Sequence, residues 1–131
     1  MRLKKEIANQ IFLHGEKEAP LEACGYLAGI DDVVSAYYPM YNVDQSPEHY
    51  RLDPKEQFKV MKQIRTDGLQ LLAVCHTHPA SPARPSEEDI KLAYDPNIVY
   101  VIASLLPEDK TIKAFRIIQQ VVSVEEFIIE D

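Results

Sequence analysis

The sequence predicts an α+β fold, a mixed β-sheet with helices packed on it, and three observations carry that expectation. Segments with helical spacing are interleaved with strand-like segments along the whole chain. Leu69 to Cys75 is apolar except for Gln70, the pattern of a strand covered on both faces. Three further strand-like runs close the chain after the last helical segment.

Taken in order, Leu3, Ile7, Ile11 and His14 recur at helical spacing and predict an opening amphipathic helix ending near Gly15. Ala23 to Ile30 reads as a strand, with Gly25 and Gly29 permitting close packing or a bulge. Asp31-Asp32 is a turn and Val33 to Tyr38 the return strand of a hairpin. Pro39 to Pro47 is a polar loop, and Tyr50 to Leu52 a short strand. Asp53-Pro54 reads as an N-cap and proline at the first helical position. The helix that follows carries Phe58, Met61 and Ile64 on one face and stops near Gly68. After the Leu69–Cys75 strand, His76 to Pro85 is a proline-rich loop, and Ser86 caps a short helix with Ile90, Leu92 and Ala93 as its apolar positions. Ile98 to Leu105, Ile112 to Ile118 and Val121 to Ile129 complete the sheet.

The 131 residues make one domain spanning 1–131, long enough to bury a core without disulfides. A formal net charge of -7 and the lack of any basic run exclude nucleic acid as a general partner. No apolar stretch approaches the roughly 20 residues that span a bilayer, so no membrane partner is expected. Met1 to Glu6 is charged without a following apolar region, and two cysteines are too few for a disulfide scaffold. The expected location is the reducing cytoplasm, with Cys24 and Cys75 as buried thiols.

The chemistry concentrates in His76-Thr77-His78-Pro79 and Ser86-Glu87-Glu88-Asp89. Residues two apart on a strand point to one side, so His76 and His78 can aim both imidazoles at one point. Pro79 stops the strand pairing and leaves them beside a loop. Asp89 falls in the first turn of the next helix, where the helix dipole favours a carboxylate. Two imidazoles and one carboxylate suit zinc and leave a fourth position open, the pattern of a catalytic site. Each piece also has a structural reading: Ser86-x-x-Asp89 resembles a capping box with Asp for Glu, and His-x-His pairs occur on loops and in cores. Set together between a buried strand and a capped helix, they point to a metal.

These residues closely resemble the JAMM (MPN-plus) metalloprotease motif, His-x-His-Pro, a short loop, then Ser-x-x-Asp. The Pro79–Ser86 loop fits it without insertion, and Pro20-Leu21-Glu22-Ala23-Cys24-Gly25-Tyr26-Leu27-Ala28-Gly29 matches the family's upstream glutamate segment. Tyr50 to Pro54 leading into a helix, and Asn97 to Ser104 as a strand, follow the same order. The resemblance covers essentially the whole chain and is to the small stand-alone prokaryotic members. It implies the MPN/JAMM fold, with its cytidine-deaminase-like architecture, and one zinc ion held by His76, His78 and Asp89. It implies Glu22 as general acid/base, moving a proton from the attacking water to the leaving amine. Ser86 would donate its hydroxyl to the oxyanion, a contribution on the order of 3 kcal/mol. The implied reaction is hydrolysis of an amide at the C-terminal Gly-Gly tail of a ubiquitin-like or sulfur-carrier protein, releasing an amino acid such as cysteine or a protein amine. The competing reading is a non-catalytic MPN module that binds a ubiquitin-like partner; such modules usually lose one of the ligands or the glutamate, whereas all five positions are present here.

Other zinc hydrolases fit less well. His14-Gly15-Glu16 matches the His-x-Glu element of cytidine deaminases, but their Pro-Cys-x-x-Cys is missing. Metallo-β-lactamase-like enzymes need His-x-His-x-Asp-His, where this chain has Pro79-Ala80-Ser81. Amidohydrolase barrels take about 250 residues.

Overall fold

A computed structural model describes residues 1–131 and shows a mixed, curled eight-stranded sheet with helices on its faces. The elements run β1 (Arg2–Lys4), α1 (Lys5–Glu18), β2 (Cys24–Ile30), β3 (Val33–Met40), α2 (Pro54–Thr66), β4 (Gln70–His78), α3 (Glu87–Lys91), β5 (Val99–Ser104), β6 (Ile112–Ile118), β7 (Val121–Glu125) and β8 (Ile128–Glu130). Spatially the strands lie in the order β7-β6-β5-β4-β2-β3-β1-β8. The two edge strands, β7 and β8, are joined by Glu126 and Phe127 alone, so the sheet must curl to bring its edges together. The amine of Met1 sits at this seam, donating to the Glu126 carbonyl at 2.8 Å and pairing with Asp32 at 2.9 Å.

Side-chain alternation along β4 divides the interior. Ala73 and Cys75 join Leu27, Val34, Val99, Val101 and Ala103 under α1, which contributes Ile7, Ala8 and Ile11. Burial of each such isoleucine is worth about 1.5–3 kcal/mol. On the opposite face Val74 packs with Tyr26, Ala28, Met40 and Ile98 under Ile64 of α2. His76 and His78 share the parity of Val74, so they belong to the α2 face. Strand β4 is antiparallel to β2 and parallel to β5, and the parallel step is the one crossed by the α3 connection.

Several sequence-based boundaries shift, each for a physical reason. The chain opens with the short strand β1, so Leu3 is a sheet residue, and α1 continues past Gly15 to Glu18. Gly15 is a packing residue: a Cβ there would stand 2.8 Å from Thr77 Cγ2 and 3.2 Å from Leu105. We therefore expect Gly15→Ala to lower Tm, because about 1–3 kcal/mol of overpacking outweighs the ~1 kcal/mol gain in helix propensity. A Tm at or above the parent's in a thermal melt would show that Thr77 and Leu105 yield freely.

Strand β3 runs through Pro39 to Met40, because β1 covers β3 only at Val33 and Val34 and the proline needs no partner on that side. The hairpin register shifts between Ala28 and Gly29, the bulge anticipated at that glycine. Tyr50 to Leu52 forms no strand. Pro54 opens α2, but Asp53 makes no side-chain cap bond, and Gly68, at φ +76°, ends it in the left-handed region. Phe58 does not join the buried face of α2; it is 69% exposed, with Lys62 above its ring. Strand β4 continues through both histidines, since β2 pairs with it as far as His76 and β5 as far as His78. Helix α3 stops at Lys91, leaving Leu92 and Ala93 outside it, and the last strand breaks at Glu126-Phe127, where the chain crosses the seam. No helix is long and apolar enough to cross a membrane.

Candidate metal centre

Strand pairing fixes the two histidines: His76 lies opposite Cys24 of β2 and Ile102 of β5, and His78 opposite Ser104 of β5. Thr77 between them faces the other way, accepting a hydrogen bond from the Ala23 amide at 2.8 Å and donating its own amide to the Ala23 carbonyl at 2.9 Å. Pro79 opens the loop, and Ser104 anchors it by donating its hydroxyl to the Ser81 carbonyl at 2.8 Å. The capping box then forms with both bonds: the Asp89 amide donates to Ser86 Oγ at 3.0 Å, and the Ser86 amide donates to Asp89 Oδ2 at 2.9 Å.

His76, His78 and Asp89 are brought together. Their Nε2 atoms lie 3.2 Å apart, and each is 3.2 Å from Asp89 Oδ2. The Nδ1 of His78 is 2.9 Å from the Pro82 carbonyl, which can only accept, so Nδ1 carries the proton and a neutral His78 turns its Nε2 lone pair inward. The His78 lone pair and a carboxylate oxygen converge with His76 Nε2 on one point, an arrangement that a cation would hold together. An equilateral triangle of this size is also one face of a tetrahedron, whose edge is about 3.3 Å for ligand atoms about 2.0 Å from the centre. The donor set therefore fits a small divalent cation with one further position open.

Burial and the Asp89 charge compete at the two histidines. Burial, at 2% exposure, lowers the pKa of His76 and keeps it neutral despite Asp89 beside it. Burial also pulls on His78, but the Asp89 carboxylate and the Pro82 carbonyl raise it overall. Asp89 is buried too, yet the two imidazoles and the Ser86 amide hold its carboxyl well below the usual carboxylate range.

Glu22 and Ser86 stand outside this triangle. Glu22 precedes β2, is 3% exposed, and its Oε1 has no hydrogen-bond partner. Burial pushes its pKa up to about 8, opposed by His78 and reinforced by Asp89, Glu88 and Glu48. The Ser86 Oγ accepts from Asp89, which leaves its hydroxyl proton to donate elsewhere. Arg84 lies on a different hollow, with Lys113, Phe115 and Phe127. Cys24 and Cys75 are free and buried, and burial pushes the Cys24 thiol up to about 12, so neither supplies a thiolate nucleophile at neutral pH.

A cleft of about 340 Å³ opens onto His76 and Asp89. Its walls include His49, Tyr50, Leu52, Leu92, Tyr94 and Tyr100, and Leu92 and Tyr94 are exposed. Tyr50 stacks on His76, with ring centroids 4.6 Å apart and planes at 27°. From the sequence, His49 and Tyr50 could line a tail groove or pack at a strand edge, and both are walls of this cleft. The stacking of Tyr50 on His76 and the buried Asn42 had no signal in the sequence, since neither residue type nor spacing marks an asparagine in a polar loop.

A family described as prokaryotic homologs of the JAB domain matches residues 4–118. The CysO-cysteine peptidase of Mycobacterium tuberculosis is 34% identical over 126 residues, covering 94% of this chain and 86% of that protein. A Thermus thermophilus protein named "Probable TtuB-protein conjugate cleaving protease" is 40% identical over 106 residues, covering 76% of this chain and 71% of that one. The solution structure of a Desulfitobacterium hafniense protein superposes with a TM-score of 0.91 at 41% identity, covering 99% of this chain and 92% of that one.

Proposed function

From the premise that this chain belongs to the family of prokaryotic JAB-domain homologs and is a JAMM-type peptidase, we propose that it is a zinc enzyme hydrolysing an amide at the C-terminal Gly-Gly tail of a ubiquitin-like or sulfur-carrier protein. The observation that carries the metal reading is the 3.2 Å triangle of His76, His78 and Asp89 with His78 locked to turn its lone pair inward. In this reading residues 1–131 form one catalytic domain, working in the cytoplasm, where Cys24 and Cys75 stay thiols.

His76, His78 and Asp89 would hold the ion. When bound, zinc supplies Lewis acidity that makes a hydroxide nucleophile available near neutral pH. Glu22 carries the proton: a buried carboxyl with its pKa near the working pH can take a proton from water and return it to the leaving amine. Ser86 donates its free hydroxyl hydrogen to the developing oxyanion, while its Oγ lone pair keeps α3 capped. An extended tail would lie in the cleft beside Tyr50 and Tyr100, where glycines let its backbone approach the walls closely. The names of the relatives support both kinds of leaving group, a cysteine in the mycobacterial protein and a protein conjugate in the Thermus protein.

The test is incubation with carrier proteins whose Gly-Gly tail is extended by cysteine or joined to a lysine amine, with the products weighed by mass spectrometry. Cleavage directly after the second glycine, abolished by a chelator and restored by zinc, is the expected result. Turnover of small amides with every Gly-Gly tail left intact would reassign the enzyme to another amidase.

A further inference from the structure

Asn42 lies between the segment that carries Glu22 and the loop that carries Tyr50. It is buried, and its carboxamide is fully engaged. The Nδ2 group donates to the Glu22 carbonyl at 3.0 Å and to the His49 carbonyl at 3.1 Å. The Oδ1 atom accepts from the Asp44 amide at 3.1 Å and from the Arg51 amide at 3.2 Å. A carboxamide offers two donors and two acceptor lone pairs, so this one uses everything it has. His49 and Arg51 flank Tyr50, and two main-chain bonds close the same knot: Glu22 N to Ser46 O and Val43 N to Arg51 O, both 2.9 Å.

The two histidines are held differently. His78 is oriented by the Pro82 carbonyl, whereas His76 Nδ1 is buried without a hydrogen-bond partner. A ligating histidine ordinarily has its second ring nitrogen fixed by a hydrogen bond. At His76 the orienting contacts are the stacked ring of Tyr50 and the edge of His78. A brace for the loop alone would need the acceptor side of Asn42 and the donor to His49; the second donor, to Glu22, reaches 20 residues back along the chain.

We propose that Asn42 is a positioning residue for the hydrolysis: its carboxamide ties the main chain of Glu22 to the loop that lays Tyr50 on His76. One buried amide thereby sets both the proton-carrying carboxylate and a metal ligand. The proposal rests on the reading of Glu22 and His76 given under the proposed function. Asparagine alone supplies this pattern, since aspartate has no donors and glutamine is a methylene longer.

Asn42→Asp is the test, because it keeps the shape and both acceptor contacts but turns oxygen toward the two carbonyls. The expected protein folds, binds zinc about 10–100-fold more weakly in chelator competition, and shows an altered visible spectrum when loaded with cobalt(II). At saturating zinc its kcat on the Gly-Gly carrier falls at least ~10-fold, and KM rises as well, because His49 and Tyr50 of the braced loop are also walls of the cleft. Zinc affinity and cobalt spectrum at parent values, whatever the Tm, make Asn42 a loop brace and overturn the proposal. If Asn42→Asp does not fold, the parent protein is tested by NMR: the Asn42 side-chain amide protons exchange slowly and shift on zinc addition, and unshifted signals overturn the proposal. Full turnover by Glu22→Gln would instead sink the reading of Glu22, leaving Asn42 to be judged on zinc affinity and the cobalt spectrum.

Discussion

Glu22→Gln will bind zinc as tightly as the parent chain and turn over about 10³-fold more slowly, the scale of general acid–base catalysis. The same variant will be more stable than the parent when metal-free, and the difference will depend on pH. Burial raises the folded-state pKa of Glu22 from 4.5 to about 8, so the folded protein favours the protonated carboxyl. Its contribution to stability is complete below pH 4.5 and is lost as pH rises through 8. Glutamine mimics the protonated form at every pH. Metal-free variant and parent should therefore melt together near pH 4, and by pH 9 the variant should melt higher by about 5–10 °C. Chelator-treated melts across that range, with single-turnover kinetics on the carrier, measure both effects. Undiminished turnover would remove Glu22 from the chemistry, and a pH-independent Tm difference would remove the buried, raised carboxyl. The opposition between the two readouts is that of a group placed for reaction at a cost in stability.

The second large effect is at Asp89. Its Oδ2 meets both imidazoles and the Ser86 amide, so Asp89→Asn removes the only anion of the ligand set while leaving an oxygen to accept from Ser86. We expect zinc binding weakened by more than about 100-fold, beyond the loss typical of an outer partner, and turnover at background with stoichiometric zinc. Helix α3 stays capped, so circular dichroism stays at the parent level. Isothermal titration with zinc decides it: an unchanged Kd would show that His76 and His78 hold the ion without Asp89. Replacing Asp89 thus separates the two duties of one carboxylate, capping and ligation, which the capping-box pattern alone could not separate.

What was legible depended on whether a residue announces its role by type and spacing. The His76-x-His78 parity, the Ser86-x-x-Asp89 box and the covered strand before them are local patterns, and the structure places the ligand atoms together as strand alternation requires. The family resemblance added the chemical roles of Glu22 and Ser86, and no spacing singles out Glu22. Element boundaries were less legible where a distant neighbour decides them. Gly15 reads as a helix stop, yet Thr77 and Leu105 require a glycine inside α1 at that point. Phe58 has the right spacing to be core, but the packing of α2 leaves it exposed beside Lys62.

The sequence by itself determined the α+β class, the two histidines on one face of a buried strand, and the carboxylate at the start of the next helix, because these follow from the periods of strand and helix. Only the tertiary structure decided that the sheet curls until β7 and β8 meet, that Glu22 is buried with a free oxygen, and that Asn42 joins it to the loop stacked on His76. Those facts depend on groups brought together from distant parts of the chain, and burial and hydrogen-bond partnership belong to the packed molecule.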